Sequence, residues 1–114
     1  MKEPSPTAIA TWRQRILAWG AAQPGPLCCL DSNGNQQDPY GRYHFVIGVG
    51  AAALLRVDHV GAAFATWRNF VQQHKGQWCL SYLSYELKDE VEQLSSNNAA
   101  NQTFPVLHSF VPRY

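Results

Sequence analysis

The sequence predicts an α+β fold, with helices packed on a mixed or antiparallel sheet. Three observations carry that expectation. Apolar residues recur at three- and four-residue steps in three separate segments, five short runs between them have strand character, and the junctions hold Gly, Pro, Asn or Asp. The resulting order is αβ-ββ-αβ-αβ, within one domain covering residues 1–114.

The first helix follows Ser5-Pro6, a capping residue and a proline at the first helical position. Ile9, Trp12, Ile16 and Trp19 mark its expected buried stripe, and Arg13, Gln14 and Arg15 its exposed side. Gly20 weakens it, and Pro24 and Pro26 stop it. Residues 27–30 form a short strand that enters a polar loop, D-S-N-G-N-Q-Q-D-P-Y-G-R, in which Asn33-Gly34 and Asp38-Pro39 are turn formers. Residues 43–50 are nearly continuous in apolar character and are expected to be central in their sheet. Gly48 and Gly50 mark a bulge or a close backbone approach. Residues 51–57 are expected to return beside that strand. Asp58 is placed to cap the next helix, whose Phe64, Trp67, Phe70, Val71 and His74 share one face, and Gly76 stands where it ends.

Trp78, Leu80 and Tyr82 alternate with Cys79, Ser81 and Leu83, the period of a strand that shows different chemistry to its two faces. From Ser84, a natural N-cap, the period changes. Leu87, Val91 and Leu94 form one apolar stripe of a short helix, Glu86, Lys88, Asp89, Glu90 and Glu92 occupy its solvated face, and Ser95 to Asn98 close it. After a polar linker, Pro105 holds Phe104 extended and V-L-H-S-F-V forms the last strand before Pro112. The end at Arg113-Tyr114 is expected to leave a sheet edge unpaired.

Two separated pairs of motifs carry a family resemblance. They are L-D-S-N at 30–33 with P-Y-G-R-Y-H-F at 39–45, and S-Y-L-S-Y-E-L-K-D-E-V-E at 81–92 with F-P-V-L-H-S-F-V-P-R at 104–113. In this order they resemble the N-terminal region of the chorismate-utilising enzymes, of the aminodeoxychorismate synthase component I type, with anthranilate synthase component I as a near relative. The resemblance covers residues 27–114. It implies a part of a two-sheet sandwich whose strands are completed by C-terminal ones. It also implies a role in an enzyme that aminates chorismate to 4-amino-4-deoxychorismate for para-aminobenzoate and folate synthesis. The partners it implies are a C-terminal chorismate-binding region and a glutamine amidotransferase component II that supplies ammonia. In that family the chorismate site and the carboxylates that hold Mg2+ lie in the C-terminal region, which these 114 residues do not include. No catalytic residue, metal ligand or cofactor is therefore expected here, and the isolated chain is expected to be inactive.

The resemblance also marks one ligand site. Ser32, Tyr40, Gly41, Arg42 and Tyr43 fall on positions that in similar proteins line a pocket for tryptophan, a feedback site in anthranilate synthases. The residue types suit that ligand: a hydroxyl and exposed backbone groups hold an ammonium and a carboxylate, and aromatic rings form a slot for an indole. Two alternatives stay open. One is a free-standing amino-acid-binding or regulatory module, the other a fragment of anthranilate synthase component I.

Composition narrows the remaining classes. A formal charge of +1 argues against a nucleic-acid binder, and the chain has neither an apolar run long enough to span a bilayer nor a hydrophobic leader, so a cytoplasmic location is expected. Charged residues make up 15 %, against about 25 % in ordinary domains, which hints at a surface meant for a partner. Cys28, Cys29 and Cys79 lack paired or C-x-x-C spacing and are expected to be reduced and mostly buried. His44, His59, His74 and His108 lack metal-site spacing, and Gly48-Val49-Gly50 lacks the rest of a dinucleotide fingerprint. The acidic group at 86–92 is read as solvated rather than as a magnesium site.

Overall fold

The computed structural model describes residues 6–34, 39–92 and 104–114. Ser5, the side chain of Ile9, Asp38, Leu94 and the linker at 95–103 lie outside the described residues. The elements are α1 (Pro6–Ala22), β1 (Leu27–Asp31), β2 (Phe45–Val49), β3 (Ala51–Val57), α2 (Ala63–Gln73), β4 (Leu80–Leu83), a 3-10 turn at Tyr85–Leu87 continuing into α3 (Lys88–Glu92), and β5 (Leu107–Pro112). Every strand pairing is antiparallel, in a two-stranded sheet β1-β2 and a three-stranded sheet β3-β5-β4. This is the α+β class the pattern predicts. The chain divides into two compact units, 1–50 with 113–114 and 51–112.

In the first unit α1 lies against the β1-β2 ribbon. Gly20 is a point of close approach: a Cβ there would stand 2.5 Å from Leu27 Cδ1 and 3.1 Å from Val49 Cγ2. The glycine read as a weak point of the helix is thus the place where the helix meets its sheet. Trp12 and Trp19 are about half exposed, which corrects the expected buried stripe. A two-stranded ribbon covers only a narrow strip of a helix, so each indole buries one edge. Trp12 meets Phe45, with ring centroids 6.1 Å apart, and Trp19 meets Tyr114 at 5.5 Å, both edge-on. Arg13, expected on the exposed side, is half-buried.

Two expectations about strand pairing are corrected. β2 belongs to a two-stranded sheet and is not central, and β3 pairs with β5 instead of returning beside β2. The reason is the link between them. Only Gly50, with φ 70°, separates the two strands, whereas the tightest common hairpin needs two loop residues. β5 is the central strand of its sheet, with β3 and β4 on the outside, and Tyr114 exchanges both backbone hydrogen bonds with Val49, at 2.9 and 3.1 Å.

In the second unit the register aligns Leu55, Ser109 and Ser81 across the sheet, and next to them Val57, Leu107 and Leu83. Ala63, Leu87, Val106 and Leu107 form the buried cluster, with Leu55, Val57, Phe64 and Trp67 packed on it. Ser109 is fully buried among these apolar neighbours. Its hydroxyl lies 2.7 Å from Ser81 Oγ and 3.1 Å from Cys79 Sγ, and Trp67 Nε1 donates to Ser81 Oγ at 3.2 Å. The three polar side chains that the β4 and β5 patterns direct toward α2 therefore satisfy one another.

Of the two helix starts, one agrees with the sequence reading and one does not. Ser84 is the N-cap expected of it, its hydroxyl accepting from Glu86 N. Asp58 does not cap α2; its carboxylate accepts from Arg56 Nε at 2.9 Å, and the N-cap position is held by Ala62, which has no side-chain oxygen. Glu90 supplies the missing acceptor from α3. Its Oε2 accepts from Gly61 N at 2.9 Å and Ala63 N at 3.1 Å, and its Oε1 from Phe64 N at 3.3 Å. Glu90 is therefore an anchor between two elements and not part of a solvated face, and Val91, expected in the apolar stripe with buried Leu87, is exposed.

Burial raises the Glu90 carboxyl, and the amides of Gly61, Phe64 and Ala63 outweigh that, holding it below its ordinary value of 4.5. A depressed folded-state value stabilises the fold at all pH above the unfolded value, and the contribution is lost as pH falls through the lower folded value. Glu90→Ala is expected to cost about 1 kcal/mol near neutral pH, the usual loss of an N-cap acceptor. The gap from wild type in urea unfolding should close as the solution is acidified below 4.5. In the first unit, Gly20→Val forces Leu27 and Val49 aside and is expected to destabilise by about 2 kcal/mol, read in the same titration.

Candidate functional site

The loop singled out by its sequence connects β1 to β2. Asp31 faces Phe45 at the last strand pair, and Ser32 N donates to His44 O at 3.0 Å, so the ladder runs one step beyond the strands. There the chain turns. Asn33 and Gly34 both have positive φ, 52° and 73°, and Asn33 N donates to Asp31 Oδ1 at 2.9 Å. An aspartate that receives the amide two residues on, followed by residues tolerant of the left-handed region, is a self-closing turn.

Helix α1 braces the base of this turn. Arg13 Nη1 donates to Asp31 Oδ2 at 2.8 Å, with both side chains about three-quarters buried. The same guanidinium stands 5.2 Å from the centre of the Phe45 ring, whose edge Trp12 contacts. Asp31 and Phe45 face each other across the ribbon, so both sides of the hairpin mouth are tied to consecutive residues of one helix.

The five predicted site residues separate into two groups. Ser32 is half-buried, and its Oγ is enclosed with no hydrogen-bond partner among the described residues. A desolvated, unpaired hydroxyl costs about 1–3 kcal/mol, and so calls for an explanation. Tyr40, Gly41, Arg42 and Tyr43 lie along the exposed return of the loop toward His44, Tyr40 at 89 % exposure and Tyr43 at 59 %. The backbone brings Ser32 beside His44. The described side chains of Tyr40 and Tyr43 do not form an enclosed aromatic slot.

Elsewhere the reactive side chains are occupied or dispersed. Among the described residues no three His, Cys, Asp or Glu side chains converge as a metal site. His74 Nδ1 sits 3.1 Å from Gln77 Oε1, the His108 ring contacts Phe110, and His44 and His59 are exposed. The three cysteines are free thiols and half-buried. Burial, then the neighbouring Cys29, pushes the Cys28 thiol up, away from the reactive thiolate. Among the described residues no helix is long and apolar enough to cross a membrane.

Sequence reasoning found the loop and missed its brace. The run Asp31-Ser32-Asn33-Gly34 contained the signal for the side-chain-closed turn, whereas Arg13 looked like any solvated cation on a helix. Around Gly34 nothing stands within 4 Å of an added Cβ, so a substitution there acts through the backbone alone. Gly34→Ala is expected to cost about 1 kcal/mol and Gly34→Asn less, because asparagine tolerates the left-handed region. Thermal melts of the two variants check the order.

No protein-family model, curated protein or solved structure matches this chain.

Proposed function

We propose that the chain is the N-terminal region of an aminodeoxychorismate synthase component I, and that the loop at the hairpin mouth binds a free amino acid, tryptophan in particular. In this reading the full enzyme aminates chorismate to 4-amino-4-deoxychorismate, with Mg2+ held in a C-terminal chorismate-binding region and ammonia supplied by a glutamine amidotransferase component II. The two motif pairs support the assignment to that family. The exposure of Trp78, Tyr85 and Phe104 in the second unit supports a partner surface there, since a chorismate-binding region laid on them would remove large apolar area from water. Residues 1–114 contribute scaffold and ligand sensing rather than chemistry, and the protein works in the cytoplasm.

The observation that carries the ligand-binding half of the reading is the enclosed Ser32 Oγ at the base of the loop, which has no hydrogen-bond partner among the described residues. A ligand ammonium or carboxylate is the group that would satisfy it. Tyr40, Gly41, Arg42 and Tyr43 then close over the indole, supplying aromatic faces, a backbone approach and a cation for the carboxylate. An anthranilate synthase component I fragment or a free-standing tryptophan-responsive module would use the same loop.

Two measurements test the proposal. Calorimetric titration of the 114-residue chain with L-tryptophan is expected to give binding that Ser32→Ala weakens by about tenfold, the effect of losing one hydrogen bond to a charged group. No heat at millimolar ligand would remove tryptophan from the proposal. The same chain with chorismate, ammonium and Mg2+ is expected to give no aminated product. Turnover by the chain alone would refute the placement of the chemistry elsewhere.

A further inference from the structure

We propose that Arg13 of α1 is the positioning residue of the loop: it fixes the Asp31 carboxylate, and through it the turn that presents Ser32 Oγ to a ligand. This rests on the amino-acid-binding reading of the loop for its ligand, and on the geometry at 13, 31 and 33 for its mechanism. The two oxygens of Asp31 have different partners. Oδ2 accepts from Arg13 Nη1 at 2.8 Å and Oδ1 accepts from Asn33 N at 2.9 Å. Asp31 is thus the bridge between a helix and a turn, and Ser32 is the one residue spanned by the second bond.

Arg13 is itself held by a second contact. Its guanidinium lies over Phe45 at 5.2 Å, and Phe45 is the cross-strand partner of Asp31. The guanidinium therefore joins the carboxylate on one strand to the ring on the other, and cannot turn away without releasing one of them. A planar guanidinium suits both contacts at once, the carboxylate in its plane and the ring on its face. A lysine at 13 keeps the charge but cannot hold both. The pair is only partly exposed, so it is screened less than an ordinary surface salt bridge.

The test follows Asn33 amide exchange by NMR together with L-tryptophan titration in wild type, Arg13→Gln, Arg13→Lys and Asp31→Asn. Arg13→Gln is expected to speed exchange at Asn33 by about fivefold, the effect of losing a pair of this strength. Amides within β2, such as Ile47, should be unchanged. Tryptophan affinity should fall by a similar factor, and Arg13→Lys should recover part of both losses. Asp31→Asn keeps an acceptor for Asn33 N but loses the charge, so adding Arg13→Gln to it should bring no further loss.

Unchanged exchange at Asn33 in Arg13→Gln overturns the proposal, whatever tryptophan does. So does acceleration spread equally over the β2 amides, which makes Arg13 a general stabiliser. If the wild type binds tryptophan and the variant binds it equally well despite a loosened turn, the link from the turn to Ser32 is wrong. If the wild type binds no tryptophan, the ligand reading falls while exchange at Asn33 still decides whether Arg13 sets the turn.

Discussion

The single residue between β2 and β3 governs the architecture of this chain. Gly50, at φ 70°, carries the backbone from Val49 to Ala51 without the two residues a hairpin turn requires. β3 is therefore barred from the strand that precedes it and takes a partner from the far end of the sequence. That partner is β5, which must reach past α2, β4 and α3 before it can pair. The same step keeps β2 for β1 and for the terminal residues, and Tyr114 closes onto Val49. A side chain at 50 would have to adopt a conformation that L-residues rarely hold, and its Cβ would stand 3.3 Å from Arg113 Cδ.

Placing β5 between two neighbours buries it on both faces and brings a serine into the middle of the core. Ser109 is tolerated because the register puts Ser81 opposite it, with Cys79 also in reach, and because Trp67 turns its indole N–H toward the same spot. Glu90 resolves the complementary problem at the start of α2, where amides would otherwise point at solvent without a local cap. Both arrangements join residues distant in sequence. The second unit is held by polar groups that satisfy one another as well as by its apolar cluster.

At the hairpin mouth, backbone and side chains have separate tasks. The ladder positions Ser32 against His44, the Asx turn reverses the chain, and Arg13 with Trp12 ties both strands to α1. Binding loops gain precision from a rigid base. Here the base is tied to α1 through Arg13 and Trp12, and the return of the loop is exposed.

Local patterns determined much of this protein. The helical segments, the strand runs, the Ser84 cap and the turn at Asn33-Gly34 all rest on interactions within a few residues, and each is found close to where periodicity and turn chemistry put it. The candidate loop was legible for the same reason. Tertiary structure alone decided which strands pair, which carboxylate caps α2, that Gly20 is a contact rather than a weakness, and that Arg13 grips Asp31. Each of those depends on residues far apart in the chain brought within a few ångströms, a distance that the spacing of residue types along a sequence does not encode.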